Sequence, residues 1–71
     1  MAVHRVLSMC RRLRALREDS GFTQKHAASW LSISQAAYSR LESGEVELSL
    51  NKLILLSELY NIELTRIVQG L

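Results

Sequence analysis

No proline occurs anywhere in this chain, only three glycines do, and its apolar residues fall at intervals of three and four. Proline breaks helix interiors, and a half-buried strand needs apolar residues at every second position, so the pattern favours long helices joined by short turns. Val3 leads into Val6, Leu7, Cys10, Leu13 and Leu16, with arginines on the opposite face. This predicts an amphipathic helix from about His4 to Asp19, ended by Ser20-Gly21 with Gly21 in a left-handed cap. Thr23 is placed to cap a second helix to about Leu31, with Ala27, Ala28 and Leu31 turned inward. After a break at Ser32-Ile33, Ser34 is placed to cap a third helix to about Glu42, with Ala37, Tyr38 and Leu41 inward; Ser43-Gly44 stops it. Beyond a loop, Ser49 is placed to cap a fourth helix that runs to the break at Tyr60-Asn61. Its apolar positions are Leu50, Leu53, Ile54, Leu56 and Leu59. A short fifth helix spans Leu64 to Gln69. The expected fold is all-α, five helices in a single domain over residues 1–71.

A chain of 71 residues buries only about 60% of its unfolded surface. Its single cysteine excludes an intrachain disulfide, and Cys10, His4 and His26 are too few for a four-ligand zinc site. Close helix packing or a partner chain must supply the stability. No cofactor or metal is expected. The lone cysteine without a signal peptide points to a cytoplasmic setting, and no apolar run approaches the roughly 20 residues that span a membrane. The scattered His, Cys and Glu residues form no nucleophile, base and orienting group at usable spacing, so an enzyme is not expected. Cys10 occupies an apolar helix position and reads as a small core residue, and His26 reads as solvated. RNA binding lacks an aromatic stacking platform.

The net charge of +2 conceals an asymmetry. Arg5, Arg11, Arg12, Arg14 and Arg17 are unopposed through residue 17, whereas four basic residues face seven acidic ones afterwards. A basic first helix on an acidic body suits a phosphate-bearing partner or, equally, a solvated helix face.

Two short helices split by a tight turn are the core of a helix-turn-helix, and the residue identities sharpen that reading. The stretch LRALREDSGFTQKHAASWLSISQAAYSRLESG resembles the phage repressor/Cro (XRE-type) family of DNA-binding domains. The resemblance rests on Leu13, Leu16, Arg17, Gly21, Phe22, Thr23, Gln24, Ala28, Ile33, Ser34, Ser39, Arg40, Leu41, Glu42 and Gly44, and extends over roughly residues 10 to 70. It implies a five-helix, lambda-repressor-like bundle whose third helix enters the major groove of double-stranded DNA. Gln35, Ala36, Ser39 and Arg40 then face the bases: Gln35 can pair with adenine, Arg40 with guanine, and Ala36 can touch a thymine methyl. The resemblance also implies that Gln24 contacts the phosphate backbone. Thr23, Lys25, Ser34, Ser43 and Arg14 are further candidate phosphate contacts, with Thr23 and Ser34 helix caps first. Arg17 and Glu42 match an ion pair that is structural in the family.

The chain departs from the family at two places. Where lysine or arginine and then proline usually follow the glycine, Glu45, Val46, Glu47 and Leu48 stand instead. This acidic loop either turns away from DNA, weakens binding or faces a protein; Val46 and Leu48 either pack under the fourth helix or join a dimer contact. Trp30 replaces a polar residue and is either a packing lid over Leu31 and the first helix or an interface anchor. Leu64, Ile67, Val68 and Leu71 match a region that often forms a two-fold dimer interface, with closure of the monomer core as the other reading. The expected function is a transcriptional regulator, a repressor or autoregulator, binding a palindromic operator as a homodimer. The alternative is a protein-interaction module such as an antitoxin or adaptor, using Trp30 and the Glu45–Leu48 loop.

Overall fold

The computed structural model describes the backbone of residues 2–69 and the side chains of residues 7–69. The described residues form five helices: α1 (Ala2–Asp19), α2 (Gln24–Trp30), α3 (Gln35–Ser43), α4 (Leu50–Leu59) and α5 (Leu64–Val68). No strand occurs among them. The bounds differ from the sequence expectation by one or two residues at several ends, mostly because Thr23, Ser34, Leu31 and Tyr60 act as caps outside the helices.

One turn recurs at the ends of the first four helices. The chain enters the left-handed region at Gly21, Ser32, Gly44 and Asn61, with φ of 77°, 59°, 82° and 53°. The next residue's N–H then reaches back to the helix. Phe22 donates to the Arg17 carbonyl, Ile33 to Ala28, Glu45 to Arg40 and Ile62 to Ser57, at 2.9–3.1 Å. This satisfies carbonyls that a helix end leaves unpaired. In three of these turns the reaching residue is apolar and half-buried against the core: Phe22, Ile33 and Ile62. The following residue is already the N-cap of the next helix. Thr23 accepts from the His26 N–H and Ser34 from the Ala37 N–H, each at 3.1 Å. Four residues thus suffice to close one helix and open another.

The core comprises Leu13 from α1, Ala27, Ala28 and Leu31 from the α2 segment, Tyr38 and Leu41 from α3, Leu53, Leu56 and Tyr60 from the α4 segment, and Ile67 from α5. Ala27 and Ala28 let α2 lie close against α3, and the Tyr38 and Tyr60 hydroxyls share a buried hydrogen bond of 3.0 Å. Cys10 is buried, and its thiol donates to the Leu41 carbonyl at 3.3 Å. Burial pushes the thiol's pKa up, and the nearby Glu42 charge adds to that.

Two of the five apolar positions expected on α4 do not enter this core. Leu50 is 65% and Ile54 41% exposed. The inner face is set by Leu53, Leu56, Ser57 and Tyr60, which leaves Leu50 and Ile54 on an adjacent stripe. Ile67 is fully buried within the chain, and its side chain helps close the monomer core. Leu64 is half-buried against the same core and Val68 is 40% exposed, whereas Leu71 lies outside the described residues. Arg12 donates from one guanidinium nitrogen to the carbonyls of Ile67 (2.8 Å), Arg66 (3.4 Å) and Gln69. This cation at the C-terminus of α5 ties the last helix to the first.

Gly44 is fixed twice over. Its φ of 82° strains any L-residue, and a Cβ there would sit 3.0 Å from the Leu7 Cδ2. At Gly21 (φ 77°) the space beyond is open. Gly44→Ala is therefore expected to destabilise the fold by about 1–2 kcal/mol or more, and Gly21→Ala by the backbone share alone. Thermal melts of the two variants check this, Gly44→Ala showing the larger drop.

Candidate nucleic-acid interface

Five side chains of α3 lie away from the core. Gln35, Ala36, Arg40 and Ser43 are exposed and Ser39 is half-buried, while Tyr38, Leu41 and Glu42 point inward. Spacings of three and four put Gln35, Ser39 and Ser43 on one line, with Ala36 and Arg40 beside it. The helix thus presents a continuous polar stripe along its free side.

The stripe is held by a buried ionic cluster beneath it. Arg17 of α1 grips Glu42 of α3 through two hydrogen bonds, Nε to Oε2 at 2.8 Å and Nη2 to Oε1 at 3.0 Å. Its remaining Nη1 donates to the Phe22 carbonyl at 2.9 Å, in the turn before α2. Gln24, the first residue of α2, donates to Glu42 Oε1 at 3.2 Å. The Arg17 and Glu42 side chains are only 11% and 4% exposed. Burial pushes the Glu42 carboxyl up, but hydrogen bonds from Arg17, Tyr38 and Gln24 and the Arg17 charge prevail and hold it below its ordinary value. The bond to Glu42 raises the Arg17 pKa against the opposing effect of burial. One bidentate pair therefore joins three helices. Its orientation comes from Arg17 falling on the same face of α1 as Cys10 and Leu13.

Around this cluster the three helices leave a shallow depression of about 120 Å³, lined by Arg14, Gln24, Ser39, Glu42 and Ser43. It brings together residues expected to face phosphate and one expected to face bases. Their hydrogen bonding qualifies those expectations. One of the two amide protons of Gln24 is committed to Glu42, which leaves the other for an outside acceptor. Thr23 and Ser34 use their oxygens as caps and keep their hydroxyl protons. Ser43 Oγ lies 2.7 Å from Glu45 Oε2 and 3.1 Å from the Arg40 carbonyl, so its one proton is already taken. Lys25 is exposed in the first turn of α2. Arg14 is exposed and 3.6 Å from Glu18 one turn on, a contact worth a few tenths of a kcal/mol.

The basic first helix divides into committed and free charges. Arg12 and Arg17 are bound within the fold, whereas Arg11 and Arg14 are exposed. The role of Arg12 was not visible in the sequence, since its partners lie up to 57 residues away. Trp30 has a partner the sequence did not suggest. Its indole N–H donates to the Leu55 carbonyl of α4 at 2.8 Å, and it stays 47% exposed. The two ends of α2 have different partners: Gln24 bonds Glu42 of α3 and Trp30 bonds Leu55 of α4. In the loop, Leu48 packs against the core and Val46 is 39% exposed.

Two short helices joined by a tight turn, the second with a free polar face and a buried tether to the first helix, are the parts of a groove-reading unit. A family model described as a helix-turn-helix domain matches residues 8–68. The chain belongs to the helix-turn-helix family. The match agrees with a DNA-binding domain of the phage repressor/Cro type, in which α2 and α3 form the motif. No curated protein and no solved structure matches the chain at a significant level. Among the described residues no helix of this helix-turn-helix protein is long and apolar enough to cross a membrane, and no three His, Cys, Asp or Glu side chains cluster as metal ligands.

The Arg17–Glu42 pair yields a stability prediction. Truncating one member strands the other, at a cost of about 3–5 kcal/mol, so Glu42→Ala should melt far below wild type. The folded-state pKa of Glu42 is depressed, so its contribution is present above the unfolded value and lost as pH falls through the folded one. Wild type should therefore lose stability on acidification below about pH 4.3, with a flatter pH profile in Glu42→Gln, read by urea titration across pH.

Proposed function

We propose that this helix-turn-helix protein is a sequence-specific, double-stranded DNA-binding transcriptional regulator, built as one domain over residues 1–71 and acting in the cytoplasm. The observation that carries the reading is the free polar stripe of α3, tethered through Glu42 to α1 and α2. In this reading α3 lies in the major groove, which admits one helix. Gln35, near the N-terminus of α3, pairs with adenine, Arg40 pairs with guanine O6 and N7, and Ala36 and Ser39 make close contacts between them. Arg14, Lys25, Thr23, Ser34 and the free amide proton of Gln24 contact phosphates and fix the register.

The protein acts as a homodimer on a palindromic operator and represses by occupying a promoter, its own among them. In this reading a two-fold axis sets the two α3 helices about 34 Å apart, one turn of DNA. Leu64, Val68 and Leu71 supply the dimer contact, and the 40% exposure of Val68 supports it. Trp30 favours a second reading, a protein-interaction module of the antitoxin or adaptor kind, because half-exposed tryptophans are frequent interface anchors. Salt separates the two: phosphate binding falls steeply with salt and an apolar protein contact does not.

The test selects bound duplexes from a random double-stranded library and titrates the winner with wild type and with Gln35→Ala and Arg40→Ala. A palindromic winner is expected, with each substitution costing about 1–3 kcal/mol and relaxing preference at one base position. No enrichment, or enrichment indifferent to both residues, overturns the base-reading assignment.

A further inference from the structure

We propose that Glu45 is an affinity-limiting residue of the DNA-facing surface: its carboxylate is held at the C-terminal end of the exposed α3 face, where it opposes the phosphate backbone. The inference rests on the DNA-binding reading and adds to it a residue that works against binding.

Both the backbone and the side chain of Glu45 are fixed. Its N–H donates to the Arg40 carbonyl at 2.9 Å in the turn that closes α3, directly after Gly44 in its left-handed conformation. Its Oε2 accepts from the Ser43 hydroxyl at 2.7 Å. Ser43 stands one turn beyond Ser39 and three residues beyond Arg40, so it continues the polar stripe, and it lines the depression with Arg14, Gln24, Ser39 and Glu42. The acidic loop therefore does not swing clear of the interface at its first residue. A helix lying in the groove carries its C-terminal end out past the sugar-phosphate strand, and that is the end that bears Glu45.

The fold does not require a carboxylate there. At the equivalent position of the other three turns stand Phe22, Ile33 and Ile62, each packed against the core. Glu45 alone of the four is exposed. An acid in an apolar residue's place gives up packing and places a negative charge among the cations of this surface, Arg14 and Arg40. The hydrogen bond from Ser43 holds that charge beside the stripe. The repulsion lowers affinity for any duplex regardless of base sequence. Glu47, two residues on, is exposed but does not hydrogen-bond Ser43, and it provides the comparison.

The experiment compares wild type, Glu45→Gln and Glu47→Gln on the selected duplex and on mixed-sequence duplex DNA, from about 50 to 200 mM salt. Glutamine keeps the volume and can still accept from Ser43, so the melting temperature should not move. Glu45→Gln is expected to tighten binding to both duplexes by about three- to tenfold at the lowest salt, the gain shrinking as screening lengths fall below about 10 Å. Its salt dependence should be steeper than that of wild type, and Glu47→Gln should gain less. Equal gains from the two substitutions would reduce the effect to net charge and overturn the inference. So would wild-type affinity in Glu45→Gln, which leaves the DNA reading intact. A loss on the selected duplex alone would make Glu45 a base contact accepting from a cytosine amino group, and would also overturn it. Failure of every protein to bind any duplex would overturn the DNA reading and this inference together.

Discussion

The Arg17–Glu42 pair is the contact on which the rest of this small protein depends. It is buried, bidentate and supplemented by Gln24 and the Phe22 carbonyl, so it fixes α1, the turn before α2, the start of α2 and the end of α3 against one another. A buried pair of this kind adds little net stability over a well-packed apolar alternative. Its contribution is directional. Apolar packing of Ala27, Ala28, Tyr38 and Leu41 tolerates small rotations of α3, whereas two parallel hydrogen bonds to a guanidinium do not. The polar stripe of α3 is presented at a defined angle because the residue beneath it cannot turn.

The same geometry sorts the charges. Of the arginines on α1 whose side chains are described, two are consumed inside the molecule, one holding α3 and one closing α5. Arg11 and Arg14 remain for a partner, together with Lys25 on α2 and Arg40 on α3. The net charge of +2 is thus a poor guide to the field at the interface. Which cations remain free, and which carboxylates stand beside them, determines what an approaching phosphate meets.

Much of this was legible in the sequence because much of it is local. The caps at Thr23, Ser34 and Ser49 and the stops at Gly21, Gly44 and Asn61 depend on residues within one turn, and Gly21, Thr23, Ser34 and Gly44 are among the residues that carry the helix-turn-helix resemblance. Features settled by distant partners were not legible. Leu50 and Ile54 are as apolar as Leu53 and Leu56, and only the placement of α4 on the body decides which stripe goes inside. Trp30 finds its acceptor 25 residues away on α4, and Arg12 finds its acceptors on α5. Ile67 looked as available to a second copy as Val68, yet the docking of α5 hides one and exposes the other.

The four-residue connections Ser20–Thr23, Leu31–Ser34 and Tyr60–Glu63 leave no slack between successive helices. Each residue of a helix advances the next by about 100°. The turn between α2 and α3 therefore acts as a phase lock. It relates the angular position of Ala28, facing inward, to that of Gln35, facing outward, through a fixed count of residues. One residue added at Ile33 would break this count. To keep Tyr38 and Leu41 in the core, α3 would have to unwind locally; to keep its winding, it would have to carry its polar stripe a quarter-turn or more out of line. Exposed side chains of α3 can be exchanged without moving the helix, but the number of residues that separates them from the core cannot change.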